Sequence, residues 1–409
     1  MVRAKFLALT FFAVSAMAQP AFELTQLENM AMQSSRAVLA ASDQLSIARA
    51  AVDTAGAFPN PEIEFLSGSS RSLAPGGNPG NLRSTTLTQP LDMPWQRSPR
   101  IAAAEAGFDA SRAIFRAFEA DFLARLRGRF FDLLRREAEL KNALEDKELM
   151  EKVRSGIEMR VNSGESPRFE LIKADAETLI AQKVAQATAL RVEQARSLLR
   201  QTVGSALPDN FQIKGSLRQI PELIPIDRLR TEIESNSPDV VRARAELVRS
   251  EQQLALERNK RLPTLALKAS RDDDPDMRSN RVGVVLSIPL WDRRKGPVAE
   301  ASAQVSKARN ELEESSFSLR QTLQVAYQQY EVARMQVAAL ESGIVHQSQA
   351  ALKVAEAAYR FGERSFLEVL DAQRVYRAAR SELIVARSEL AAAWVEIERL
   401  RANKGVKPE

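Results

Sequence analysis

The sequence AYRFGERSFLEVLDAQ at residues 358–373 decides how this chain folds. It places a small turn, Phe361-Gly362-Glu363, between two stretches whose apolar residues recur every three or four positions. A similar turn, Asn162-Ser163-Gly164-Glu165, joins two helical patterns half a chain earlier. The turns align Gly164 with Gly362, Glu165 with Glu363, and Glu170 with Glu368. Such a repeat predicts that the chain contains two copies of one structural unit.

Each half places the same elements around its turn. The predicted order is a helical stretch, two β-like runs separated by a loop, a very long helical pattern and a return helix. In the first half these cover 24–56, a run starting at Glu62, 82–89, 97–161 and 167–202. In the second half they cover 226–259, 264–270, 281–288, 297–361 and 366–401. We therefore predict one structural repeat at 19–210 and a second at 211–409.

The long helical patterns carry a heptad repeat. Between Val298 and Ile344, apolar residues alternate at spacings of three and four for most of the length. This spacing keeps a narrow apolar seam on one side of a helix, so that antiparallel helices can pack knobs into holes. Each long helical pattern, 97–161 and 297–361, covers 65 residues, which at about 1.5 Å per residue predicts a rod of roughly 100 Å.

The β-like runs of the second half have the pattern of membrane strands. Within 281–288, Val282, Val284, Leu286 and Ile288 share one face, while Arg281, Gly283 and Ser287 share the other. Alternation of apolar and polar residues is typical of a strand between lipid and a wet lumen. Four strands cannot close a barrel, and open sheet edges are not tolerated in lipid, so other copies of the chain must close it. The alternative is a pair of hairpins in a soluble domain.

The N-terminus predicts export. Arg3 and Lys5 precede an apolar run, and Ala16-Met17-Ala18 fits a signal-peptidase site, so residues 1–18 are expected to be a cleaved signal peptide. The remainder contains no apolar stretch long enough for a membrane helix. The mature chain is therefore expected in the periplasm or in a membrane as β-structure.

Composition excludes several classes of function. There is no cysteine, which removes disulfides and thiolate chemistry, and the single histidine falls far short of a metal site. Charges of both signs are interspersed along the helices, so no one-sided basic stripe indicates nucleic acid. No phosphate loop, nucleophile elbow or acid–base pair in a globular pocket appears. We predict no enzyme, no cofactor and no bound metal.

Residues 358–373 closely resemble the second periplasmic turn of the TolC-type outer-membrane factor family, and 287–292 resemble its strand-to-helix exit. The resemblance covers nearly the whole mature chain. It implies a mainly α fold with membrane β-structure: a homotrimer with a 12-stranded β-barrel in outer-membrane lipid, on an α-helical barrel across the periplasm. It also implies an efflux channel that contacts a periplasmic adaptor and an RND-type or ABC-type inner-membrane pump.

The resemblance also implies roles for individual residues. Glu368 and Asp371 match the family's acidic ring at the periplasmic gate. Tyr359 and Arg364 match the donors of the closed-state latch, and Glu170 matches its acceptor, with Glu where the family's best-known member has Asp. The two turns are expected to dock the adaptor through Gly164, Glu165, Gly362 and Glu363.

Two alternative functions remain open at the level of sequence. One is a type I protein-secretion exit duct, and the other is a soluble periplasmic coiled-coil adaptor, although adaptors lack this whole-chain duplication. Residues 89–97, QPLDMPWQR, resemble the heavy-metal-efflux subgroup of the same family. The transported substrate is not decided by so short a stretch.

Overall fold

A computed structural model describes residues 20–71, 76 and 79–402. The predicted signal peptide lies outside the described residues. The first half contains β1 (Ala21–Glu23), α1 (Leu24–Ser34), α2 (Arg36–Gly56), β2 (Glu62–Ser70), β3 (Gly80–Leu91), α3 (Pro94–Asn162) and α4 (Arg168–Val203). The second half contains β4 (Gln212–Lys214), α5 (Ile226–Asn236), α6 (Pro238–Asn259), β5 (Thr264–Asp273), β6 (Arg278–Ser287), α7 (Lys295–Ala339), a π-turn (Leu340–Ile344), α8 (Val345–Arg360) and α9 (Phe366–Arg401). The fold is mainly helical, and the predicted order of elements occurs in both halves.

The first helical stretch of each half is broken once, which the sequence pattern did not predict. The breaks fall at Ser35, between α1 and α2, and at Ser237, between α5 and α6. Both serines are buried, and both have extended ψ angles, 123° and 126°. The second break has a local cause, because the ring of Pro238 disfavours helical backbone at the preceding residue.

The helices and strands form two compact units. The first consists of the described part of residues 1–35 together with 126–220 and 340–388, and it contains both turns. Its small sheet pairs β1 with β4 in parallel, a pairing that the sequence analysis missed. The second unit consists of 36–125, 221–339 and the described part of 389–409, and it contains the larger sheet.

A π-turn interrupts the heptad seam of the second long helix. Tyr330, Ala333 and Leu340 are buried along the predicted seam, but Ile344, predicted to continue it, is 49% exposed. The seam resumes at Ser348, one residue later than a heptad repeat would place it. The wider π-turn absorbs this extra residue and keeps the buried side facing its neighbours. The Arg387 guanidinium holds Glu341 of the π-turn with an Nε···Oε1 distance of 2.9 Å.

The larger sheet is antiparallel with strand order β2-β3-β5-β6. Its register places apolar side chains of all four strands on one face, where Ile63, Leu87, Ala269 and Val282 form one row. The opposite face is polar and includes a row of Glu62, Thr88, Lys268 and Gly283. The predicted alternation is therefore present in both hairpins, although the sequence of the first is weaker.

The second hairpin is tighter than its sequence suggested. The predicted runs 264–270 and 281–288 leave a loop at 271–280, but β5 extends to Asp273 and β6 begins at Arg278. Ser84 Oγ donates a 2.6 Å hydrogen bond to Asp272, and Arg281 also binds this carboxylate. Asp272 and Asp273 of β5 thus form cross-strand ion pairs with Arg281 and Arg278 of β6, where the strands extend beyond the predicted runs.

A helix that spans a bilayer needs about 20 predominantly apolar residues. Across residues 20–71, 76 and 79–402, no helix is at once long enough and apolar enough to do so.

Candidate functional site

The turn between α3 and α4 is a Schellman motif. Gly164 has φ 80°, and its N–H donates to the Val161 carbonyl at 3.1 Å. The Glu165 N–H donates to the Arg160 carbonyl at 2.8 Å. This pair of bonds satisfies carbonyl groups in the last turn of a helix when the residue after the helix end has a left-handed backbone. Glycine adopts that backbone readily because it has no Cβ.

The turn between α8 and α9 repeats this geometry. Gly362 has φ 76°, its N–H donates to the Tyr359 carbonyl at 3.0 Å, and the Glu363 N–H donates to the Ala358 carbonyl at 2.9 Å. Both turns thus use a glycine with a positive φ. All four residues predicted to dock a partner, Gly164, Glu165, Gly362 and Glu363, are exposed.

A shared apolar core holds the two turns in place. Phe366, the first residue of α9, is 1% exposed and belongs to this core. The core is completed by residues of α3, α4, α8 and α9: Met150, Ile157, Ala174, Ala181, Leu352, Ala355, Val369 and Leu370. Half-buried Tyr359 packs against it and lies 5.8 Å from the Phe366 ring, centroid to centroid. The two turns therefore belong to one packed structure.

Two of the predicted latch residues are in contact. The Tyr359 hydroxyl donates a 3.0 Å hydrogen bond to Glu170 Oε2, which joins the end of α8 to the start of α4. Burial, followed by this bond to a carboxylate, raises the pKa of Tyr359. The raised pKa favours the protonated phenol, the form that donates the hydrogen bond to Glu170.

Arg160 is a further residue of this contact that the sequence analysis missed. Its guanidinium lies over the Tyr359 ring, 4.8 Å from the centroid, and Nη1 is 3.5 Å from the Tyr359 carbonyl oxygen. It also lies 3.7 Å from Glu165 in the adjacent turn. The heptad pattern could not identify it, because a basic residue near a helix C-terminus is common for electrostatic reasons alone.

Arg364, the other predicted latch donor, has a different partner within the chain. Its Nη1 binds Glu368 Oε2, one helical turn away. The Ser365 N–H and hydroxyl lie 3.4 Å from Glu368 Oε1. The hydrogen bond from Arg364, and then that from the Ser365 backbone, lowers the pKa of Glu368. Glu368 is thus charged but compensated.

Asp371 lies on the same exposed face without such compensation. Among the residues that the structure describes, no hydrogen bond or ion pair to its carboxylate is present. Both acids line one open groove between α8 and α9, beside three exposed apolar side chains, Val354, Leu367 and Val375. The structure therefore brings the two predicted gate acids to one surface but gives them different surroundings.

Comparison with known proteins identifies the group to which this architecture belongs. The profile of the family described as outer membrane efflux protein matches residues 27–205 and 229–403. The chain belongs to this family. It is therefore an outer-membrane efflux protein, and the family consists of channel proteins. Membership decides against the soluble adaptor.

Individual relatives cover most of the chain. The cobalt-zinc-cadmium resistance protein CzcC of Cupriavidus metallidurans is 28% identical over 366 residues, which are 88% of this chain and 85% of CzcC. The nickel-cobalt-cadmium resistance protein NccC of Alcaligenes xylosoxydans xylosoxydans is 23% identical over 303 residues, 74% of this chain and 68% of NccC. The outer-membrane channel OprN superposes with a TM-score of 0.81 at 20% identity, covering 93% and 89% of the two chains. The likeness to OprN confirms the fold.

Proposed function

We propose that the chain forms a homotrimeric exit channel for divalent transition-metal cations. The similarity to CzcC over 88% of the chain carries this proposal, because the names of CzcC and NccC both specify resistance to such metals. Acidic side chains at the gate suit this cargo, since a ring of carboxylates favours cations over anions. The metal is the transported substrate, so it requires no permanent ligand set in the chain.

The larger sheet supports the trimeric barrel. In the single chain, β2 and β6 are the edge strands, and large apolar side chains such as Phe65 and Val282 are 74% and 86% exposed. Unpaired edges and an exposed apolar face suit lipid only when further strands complete the sheet. Three copies supply twelve strands in the outer membrane, with the helices on the periplasmic side. The two structural repeats, 19–210 and 211–409, then contribute one hairpin each.

The two Schellman turns are the proposed docking sites for a periplasmic adaptor that connects the channel to an inner-membrane pump of the RND or ABC type. Both turns are exposed and have nearly the same backbone geometry. Three chains would present six similar turns, a repeated surface that suits a ring of adaptor hairpins. Glu368 and Asp371 form the proposed gate nearby, with Tyr359, Arg364 and Glu170 as the proposed latch.

The cargo is tested by deleting the gene in its own organism. We expect reduced tolerance of cobalt, zinc and cadmium salts, with unchanged tolerance of hydrophobic antibiotics. Complementation with the wild-type gene should restore metal tolerance. Loss of antibiotic tolerance with unchanged metal tolerance would contradict the metal cargo and indicate an organic one.

The latch is tested by replacing Tyr359 with Phe. This change removes the hydroxyl that binds Glu170 and keeps the ring that packs on Phe366. A hydrogen bond to a charged group contributes about 1.5–3 kcal/mol, so three symmetric losses should shift the gate toward opening. We expect a several-fold rise in single-channel conductance in planar bilayers. Tyr327→Phe, on α7, is the matched control, and equal conductance in both variants would exclude the latch.

A further inference from the structure

The two acids of the proposed gate differ in how their charge is compensated. Glu368 lies in the first turn of α9, where it accepts hydrogen bonds from Arg364 and Ser365. Asp371, one turn further along α9, has no such donor among the described residues. Two acids with the same surroundings would contribute equally to cation binding, whereas Glu368 and Asp371 have different surroundings.

We propose that Arg364 sets how strongly the gate attracts cations, because it neutralises Glu368 and leaves Asp371 as the acid that meets a passing cation. This inference rests on the proposed gate, and it assigns Arg364 a role that is separate from the latch. Glu170, the acceptor expected for Arg364, is already bound by Tyr359 in this chain.

Local geometry favours the pairing of Arg364 with Glu368. The two residues are four apart across the start of α9, a spacing at which side chains meet on one helix face. The Ser365 N–H at the helix start directs Glu368 Oε1 while Arg364 holds Oε2. An exposed ion pair of this kind contributes little to stability. The positive charge of Arg364 nevertheless offsets the negative charge of Glu368, so that Asp371 is the acid in each subunit whose charge is not offset.

The effect on the channel follows from counting charges at a narrow opening. In a trimer, three uncompensated aspartates face the passing ion, whereas six acids would do so without Arg364. One additional charge per subunit, three in the trimer, a few ångströms from a divalent cation changes its binding constant by at least about tenfold, even at the dielectric constant of water. The proposed gate thus attracts cations without holding them tightly, which conduction requires.

The test is block of single wild-type trimers in planar bilayers by Mg²⁺ added on the side of the turns. Arg364→Gln should lower the half-blocking Mg²⁺ concentration by about tenfold or more. Arg364→Lys, which keeps the charge, should leave it near the wild-type value. The double variant Arg364→Gln with Glu368→Gln should also return close to wild type, because each subunit then retains only Asp371.

A fourth variant distinguishes failure of the inference from failure of the gate. Asp371→Asn should raise the half-blocking concentration by tenfold or more, about the effect of one charge per subunit. If Asp371→Asn changes block and Arg364→Gln does not, the role of Arg364 is overturned and the gate stands. If Arg364→Gln raises conductance without changing block, Arg364 acts only on opening, which also overturns the inference. Unchanged block in Asp371→Asn would overturn the gate itself, and the inference with it.

Discussion

Replacing Val284 with Asp is expected to abolish trimer assembly in the outer membrane. Val284 is 63% exposed in the single chain and pairs with Leu267, on the apolar face of the sheet. If this face contacts lipid, each carboxylate is placed in hydrocarbon, where an Arg or Lys costs about 2–4 kcal/mol near the midplane and an Asp somewhat less. Three copies multiply that cost. Native gel electrophoresis of detergent-extracted outer membranes should show less than about one tenth of the wild-type trimer.

Gly283→Asp is the matched control, one residue away on the same strand. Gly283 lies on the polar face, opposite Lys268, and a Cβ at this position would meet no atom within 4 Å. The same charge is therefore expected to be accommodated, with trimer close to the wild-type amount. If both variants lose the trimer, or if both keep it, the assignment of one face to lipid is wrong.

Most of the fold could be predicted from the sequence because its signals are local and repeated. Alternation in 281–288, the glycines of the two turns and the seams of the return helices each require only neighbouring residues. The predicted return helix 366–401 coincides with α9, Phe366–Arg401. The duplication also helped where the pattern is weak. Residues 83–86 are all polar, and they were assigned to a strand because the corresponding run of the second repeat alternates clearly.

The features that were missed depend on longer-range packing or on small differences in spacing. The three-residue strands β1 and β4 pair across the chain, and such short segments carry no periodic signal. The π-turn results from one extra residue in the seam, which becomes evident only when the burial of Ile344 and Ser348 is compared. In both cases tertiary packing selects the conformation.

The sequence predicted which residues form the candidate site, but not which of them bind one another. Family resemblance selected Tyr359, Arg364, Glu170, Glu368 and Asp371, and the structure brings Tyr359 into contact with Glu170. Resemblance could not indicate that Arg364 binds Glu368, because a matched position does not specify which of two nearby carboxylates a guanidinium reaches. Roles carried over from a family therefore specify positions, while the side chains of this chain determine which charges are free.

Replacing Gly362 with Val is expected to remove efflux while leaving the trimer intact. The backbone at Gly362 has φ 76°, where a residue with a Cβ is strained by about 1–2 kcal/mol, and a β-branched residue by more. An added Cβ would meet no atom within 4 Å, so the effect comes from backbone conformation and not from a clash. Metal tolerance of a complemented deletion strain should fall to that of the deletion strain, with normal trimer on native gels.

The physical reason lies in the two hydrogen bonds that define the turn. If the valine side chain of the Gly362→Val variant moves φ to negative values, the Glu363 N–H no longer reaches the Ala358 carbonyl, and the exposed end of the hairpin changes shape. The barrel strands belong to the other compact unit, so assembly should not depend on this turn. Gly362→Asn is the matched control, because Asn tolerates left-handed backbone and should retain efflux. Normal metal tolerance in the Val variant would show that the geometry of this turn is not needed for docking. Loss of metal tolerance in the Val variant but not in the Asn variant would show that transport depends on the backbone conformation of this one residue.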